Sequence, residues 1–257
     1  MSSVIPYVAL ADLVSQHGVT VLLCGEGADE LFLGYESYPK LLQQLVGTDS
    51  WMPALQDYAF PGSRRRLLSR LLGGDPLEWC DGSFQQEFRD LSSEKSAAGA
   101  IRGLEQRRRL EPLLYRTDGI LMSRSIEART PYLHGDVPTW AHSLTQADLI
   151  TRTETKAALR AEWSSWLPQH ASRKPKTPFR LPLAALMSSD LKHEVRAILQ
   201  TQLPHLNAMG LRTEGIFDIC DLGTRGNAEA AALLFSILNL ALWIEQLPEH
   251  GDWSVDE

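Results

Sequence analysis

The spacing of apolar and polar positions divides the chain into an α/β opening and a long helical remainder. Over residues 4–18, Val8, Ala11, Leu13 and Val14 recur at helical spacing, and Gly18 stands where a helix stop belongs. Val19-Thr-Val-Leu-Leu-Cys24 is then a short, almost continuous apolar run rich in β-branched residues. That pattern predicts a strand buried on both faces of a parallel sheet. Gly25-Glu-Gly-Ala-Asp-Glu30 follows as a glycine-rich turn, and Leu31-Phe-Leu-Gly-Tyr35 continues in helical register. Helix, buried strand, turn and helix in succession predict an α/β unit.

From residue 40 onward, segments near 40–47, 63–72, 84–91, 94–116 and 118–126 carry apolar residues three and four apart. Breaks fall at Pro53, Pro61-Gly62, Gly73-Gly74-Asp75-Pro76 and Pro131. Thr151-x-x-Glu154 has capping-box form and opens a helix bearing Ala157, Leu159 and Trp163, which stops before Pro168. Arg173–Pro182, with three prolines and four cations, reads as irregular. The stretch 227–246 is apolar nearly all round, which predicts a helix inside a bundle. The lone parallel-type strand lacks visible neighbours, although its backbone donors and acceptors need them. The sheet therefore reads as incomplete.

Composition narrows the function classes. Of 257 residues, 44% are apolar and 22% charged, which is ordinary globular usage. The net charge, 25 − 32 = −7, argues against a general nucleic-acid binder and against a polybasic membrane anchor. Cys24, Cys80 and Cys220 lie far apart, with no CxxC or HExxH, so no sequence-local zinc site is expected. An odd cysteine count, with no secretory pattern at Met1-Ser-Ser-Val-Ile-Pro6, fits a reducing cytoplasm. The most apolar stretch, Ala230 to Ile244, has 15 residues, short of the roughly 20 that span a bilayer.

Three segments could carry chemistry. In Cys24-Gly-Glu-Gly-Ala-Asp-Glu-Leu-Phe32, glycines at a strand's C-terminal end let the backbone turn into the crevice where open α/β sheets bind ligands. Glu26, Asp29 and Glu30 there could hold Mg²⁺ or act as a base; alternatively, Asp29 and Glu30 simply favour a helix dipole. In Tyr115–Leu133, Arg116, Arg124 and Arg129 could meet phosphates with Asp118 and Glu127 fixing them, or could pair along an ordinary helix. In Ser172–Pro182, prolines stiffen a loop from which Lys174 and Lys176 could reach an anion; the alternative is a solvated basic turn. Arg64-Arg65-Arg66 and Arg107-Arg108-Arg109 read as solvated helix faces, and the seven histidines show no ligand spacing.

In this order, the three segments resemble the synthetase domain of glutamine-dependent asparagine synthetases. The family's acidic signature SGEGADELFGGY is similar to Cys24–Tyr35, and its helical signature LRxDRMSMAxxxEARxPFLD resembles Tyr115–His134. Its late signature RPKQGFxxPL resembles Lys174–Leu183, and Leu233–Trp243 is similar to its final helix. The resemblance implies a largely helical α/β fold: part of an adenine-nucleotide-α-hydrolase-like (ATP pyrophosphatase) parallel sheet with a C-terminal helical bundle, over residues 1–257. It also implies ATP-dependent amide formation through an acyl-adenylate, with pyrophosphate release. Glu26 would sit by the acyl-adenylate and handle the amine's proton; Asp29 would bind Mg²⁺; Lys176 would stabilise phosphate charge. Gly25, Gly27, Arg116 and Lys174 would complete the nucleotide side. Two family features have no counterpart here: the SGGxDS pyrophosphate loop, and a glutaminase with its cysteine after the initiator Met, where Ser2 stands. Cys24 replaces the family's serine, and His134, with Asp136 nearby, replaces the Asp of PFLD. The chain thus reads as one half of a split ligase whose protein partner carries SGGxDS and, in some arrangements, a glutaminase. Its substrate would be a small-molecule or peptide carboxylate, with neither nucleic acid nor membrane as partner. Relatives forming β-lactams or lasso-peptide macrolactams leave the amide open, and a non-catalytic interaction module is the rival from another class.

Overall fold

The computed structural model describes residues 3–45, 48, 50–79, 82–92, 94, 96–174, 181–188 and 191–247. They fall into two compact units, one built from 3–59 and 82–180, the other from 60–81 and 181–257.

The first unit holds the α/β opening. Helix α1 (Val4–Gln16) leads into strand β1 (Val21–Leu23), and after the glycine-rich turn comes the short helix α2 (Ala28–Phe32). β1 pairs in parallel with β2 (Glu127–Arg129), setting Val21 opposite Glu127, Leu22 opposite Ala128 and Leu23 opposite Arg129. The Glu127 N–H donates to the Thr20 carbonyl at 2.8 Å, and the Cys24 N–H to the Arg129 carbonyl at 2.7 Å, extending the ladder at both ends. One face of this sheet is covered. Leu22 and Ala128 pack with Ala11 and Val14 of α1 and with Ile120 and Leu121 of the helix Glu111–Met122. The other face is open, with Val21 38% and Leu23 70% exposed. Burial of β1 on both faces is therefore corrected: its second face has no layer over it among the described residues.

β2 itself falls where the periodicity predicts helix. The helical run divides into Ala97–Glu105, a π-helical turn Gln106–Leu110 and Glu111–Met122. Ser125, in the left-handed region at φ +56°, then turns the chain into the strand. A larger core lies beside α2, where Leu31, Phe32 and Leu33 join Tyr38, Leu42, Leu55, Ile101 and Leu104.

The second unit is all helical among its described residues. Helices Gly62–Leu72, Leu183–Met187, Lys192–Ala208, Thr213–Thr224 and Ala228–Glu245 enclose a core that includes Leu199, Leu206, Ile216, Ile219, Cys220 and Leu234. The last helix is long and apolar enough to cross a membrane by length and composition. Its Ala230, Ala231, Leu234, Ile237 and Ala241 are buried in this core, however, as in the central helix of a bundle. The fold is thus a largely helical α/β arrangement with a small parallel sheet.

Candidate functional site

The acidic turn leaves the C-terminal end of β1, and its shape depends on Gly27. At φ +91° the residue lies in the left-handed region, and an added Cβ would overlap the Leu133 side chain. The Gly27 N–H donates to Glu30 Oε2 at 3.2 Å, closing the first turn of α2. Glu30 Oε1 accepts from the Tyr35 hydroxyl at 2.6 Å, and the residue is 2% exposed. Glu30 is thereby committed to holding the turn.

Glu26 faces another way. Its Oε1 accepts from the Tyr7 hydroxyl at 2.5 Å, from Thr117 Oγ1 at 2.9 Å and from Arg116 Nη2 at 3.2 Å. Arg116 in turn donates to Ser3 Oγ at 2.5 Å and lies 4.4 Å from the centre of the Tyr7 ring. Burial first, and the Glu26 carboxylate second, push the Tyr7 hydroxyl up to about 12. The phenol therefore stays protonated as a donor near neutral pH.

Asp29 points in a third direction, into an ion pair with Lys156, whose Nζ lies 2.8 Å from Oδ1. Both side chains are 11% exposed. Lys156 sits just before the helix Ala157–Trp163 with φ +55°. Gly34 makes the approach possible, since a Cβ there would overlap both Lys156 Cε and Asp29 Oδ1. The three carboxylates that the sequence groups together thus diverge, and no cluster of three or more His, Cys, Asp or Glu able to hold a metal exists among the described residues.

The basic segment is tied to the same elements. Thr155 Oγ1 donates to the Gly34 carbonyl at 3.2 Å. Arg160 donates to the Thr155 carbonyl at 2.9 Å and, at 3.1 Å, to the carbonyls of Ser172 and Lys174. The exposed Lys174 is therefore held through its backbone. Lys176 lies outside the described residues. Thr151 keeps its turn bond, accepting from the Glu154 N–H at 3.2 Å, but the turn precedes Lys156 rather than opening the helix.

The structure thus brings Glu26 and Arg116 together, sets Asp29 apart from them, and leaves Gly25 exposed at the mouth of the turn. Arg124 and Arg129 pair instead with Asp12 at 2.6 Å and Glu127 at 2.9 Å. Pairing along one helix is corrected accordingly, because the helix ends at Met122. Tyr7, Thr117, Lys156 and Arg160 are functional candidates that the sequence reading does not single out. Thr117 and Lys156 find partners 91 and 127 residues away, and no local pattern marks any of the four.

Comparison with known proteins supplies a family. Its profile, described as "Asparagine synthase", matches residues 1–245. Relatives from Mycobacterium bovis and two strains of Mycobacterium tuberculosis, each named "Putative asparagine synthetase (glutamine-hydrolyzing)", are 25% identical over 282 residues. The match covers 97% of this chain but 42% of each relative, so the chain spans less than half the length of the curated proteins it matches. No solved structure is a significant match. The profile runs through the acidic turn, the Arg116 helix and the Lys156–Lys174 segment, and the chain belongs to the asparagine synthase family.

Proposed function

We propose that this chain is part of a cytoplasmic ATP-dependent amide ligase of the asparagine-synthetase type, completed by a partner polypeptide carrying the pyrophosphate loop. Its sheet would then be a portion of an ATP-pyrophosphatase-like sheet. A carboxylate oxygen of the substrate attacks the α-phosphorus of ATP, the bond to the β-phosphate oxygen breaks, and pyrophosphate leaves. An amine then attacks the acyl-adenylate carbonyl, AMP departs, and the amine's proton passes to a base.

One observation carries this reading. The acidic turn, the helix Glu111–Met122 and the segment 155–174 meet through Glu26–Arg116, Asp29–Lys156 and Arg160 to the Lys174 carbonyl. With three donors on Oε1, Glu26 has a fixed orientation suited to accepting a proton at one stated place. Lys156 and Lys176 would neutralise the charge that grows as pyrophosphate leaves. Asp29, with a lysine on one oxygen, fits a Mg²⁺ that arrives with phosphates and keeps most of its waters, not one caged by protein. That ion would add charge neutralisation at the phosphates.

ATP–pyrophosphate exchange tests the proposal, with the chain alone and mixed with polypeptides encoded beside it. Exchange should require the partner. Lys176→Ala should lower it by about 10²–10³, the usual loss for one preorganised charge donor. Exchange unaffected by Lys176→Ala would overturn the assignment of that residue. No exchange with any such partner would overturn the ligase reading.

A further inference from the structure

Arg107-Arg108-Arg109 reads as a solvated helix face, yet the π-helical turn that carries it sends its cations to different places. Arg108 pairs with Glu87, whereas Arg109 turns inward. Its Nε lies 3.0 Å from Glu105 Oε2, on a side chain 2% exposed. Its guanidinium carbon stands 4.6 Å from the centre of the Tyr35 ring and 5.9 Å from that of Tyr58. Burial pushes the Glu105 carboxyl up and the guanidinium opposes that rise, so each charge holds the other in place.

Tyr35 links this pair to the acidic turn. Its ring meets the fully buried Tyr38 edge-on at 5.4 Å, and its hydroxyl donates to Glu30 Oε1 at 2.6 Å. Glu30 Oε2 accepts from the Gly27 N–H at 3.2 Å, and that N–H belongs to the peptide joining Glu26 to Gly27. A cation over the ring draws charge from the phenol and strengthens its hydroxyl as a donor, the direction in which Arg109 acts on Tyr35. An aliphatic side chain of the same length would fill the space without doing this.

The same helical run meets Glu26 a second time. About two turns beyond Arg109, Arg116 and Thr117 donate to Glu26 Oε1. One run therefore fixes both the peptide and the carboxylate of Glu26, and the π-helical turn sets the register between the two grips. π-helical turns recur at functional sites, where a displaced register re-aims side chains.

We propose that Arg109 is a positioning residue for the acidic turn: anchored by Glu105, it fixes Tyr35 and, through Glu30, the peptide that carries Glu26. It touches no reacting group. For its effect on chemistry this role rests on the ligase reading above; for its effect on the turn it does not.

Amide hydrogen exchange of Gly27, in the full chain labelled with ¹⁵N-glycine, tests the role. Arg109→Lys keeps a charge beside Glu105 but loses the planar group over the ring. Exchange at Gly27 should rise about tenfold, the worth of one hydrogen bond to a charged group, relative to Gly103 and Gly119 in the flanking helices. Tyr35→Phe should give the same selective rise, and adding Arg109→Lys to it should change nothing more, because the path is already cut at the hydroxyl. An equal rise at all three glycines would show that Arg109 only packs, and effects of the two substitutions that simply add would show that it bypasses Tyr35; either overturns the proposal. Where the chain and its partner exchange pyrophosphate, Arg109→Lys should lower kcat and kcat/KM together by about 10–10²-fold, since Asp29 lies in the same turn. A selective rise at Gly27 in a protein without pyrophosphate exchange keeps the positioning role and removes the ligase reading. Pyrophosphate exchange that Arg109→Lys leaves intact, with Gly27 still protected, does the reverse.

Discussion

Asp29 and Lys156 are each about one-tenth exposed, so solvent and salt screen their ion pair little. Replacing Lys156 by Met leaves a buried carboxylate without its cation, and urea denaturation should show a loss of about 3–5 kcal/mol. The double variant Asp29→Asn, Lys156→Met should recover most of that loss, since it removes both charges. A double variant no better than the single one would show that the lysine acts by packing instead. Tyr7 offers a pH test. Its hydroxyl is raised from 10.0 to about 12, so its contribution to stability is complete below pH 10 and is lost as pH rises through about 12. Ultraviolet titration should show two phenols, Tyr7 and Tyr58, ionising near that upper value, and one of the two should be missing in Tyr7→Phe.

The elements differ in how openly the sequence declares them. α1, β1 and the turn into α2 were legible because each is set by neighbours a few residues away: apolar spacing, a β-branched run, two glycines. β2 was not, because Glu-Ala-Arg has no apolar run and becomes a strand only by pairing with β1 about a hundred residues earlier. Of the site, the acidic turn and Arg116 could be read directly, whereas Lys156 could not, since its partner is 127 residues away. The close approach at Gly34 gives an element-level prediction: Gly34→Ala should lower stability by about 1–3 kcal/mol through overpacking, in the same denaturation assay. The π-helical turn gives another. It carries Arg109 to within 3.0 Å of the buried Glu105 and 4.6 Å from the centre of the Tyr35 ring. It also leaves Arg116 and Thr117 facing Glu26. Deleting one residue from 106–110 would restore a regular helix but rotate everything beyond it by about 100°. Arg116 and Thr117 would lose Glu26, and with these two lowering partners moved away the Tyr7 hydroxyl should titrate higher still in the same ultraviolet measurement.

At the scale of the whole molecule, the chain threads its two units discontinuously: residues 60–81 leave the first unit, and 82–180 return to complete it. One consequence concerns time. β1 is finished at Leu23, yet its partner strand ends at Arg129. At about 5–20 residues per second, a ribosome needs roughly 5–20 s to deliver the second strand after the first. Throughout that interval Val19–Leu23 is an apolar, β-prone segment without its ladder, the kind of segment that aggregates or recruits chaperones. Nascent chains arrested after Ser125 should be cut readily by protease within Val19–Leu23, and chains released past Thr130 should resist. The acidic turn would accordingly be among the last parts of its unit to take shape, although it is among the first to be synthesised.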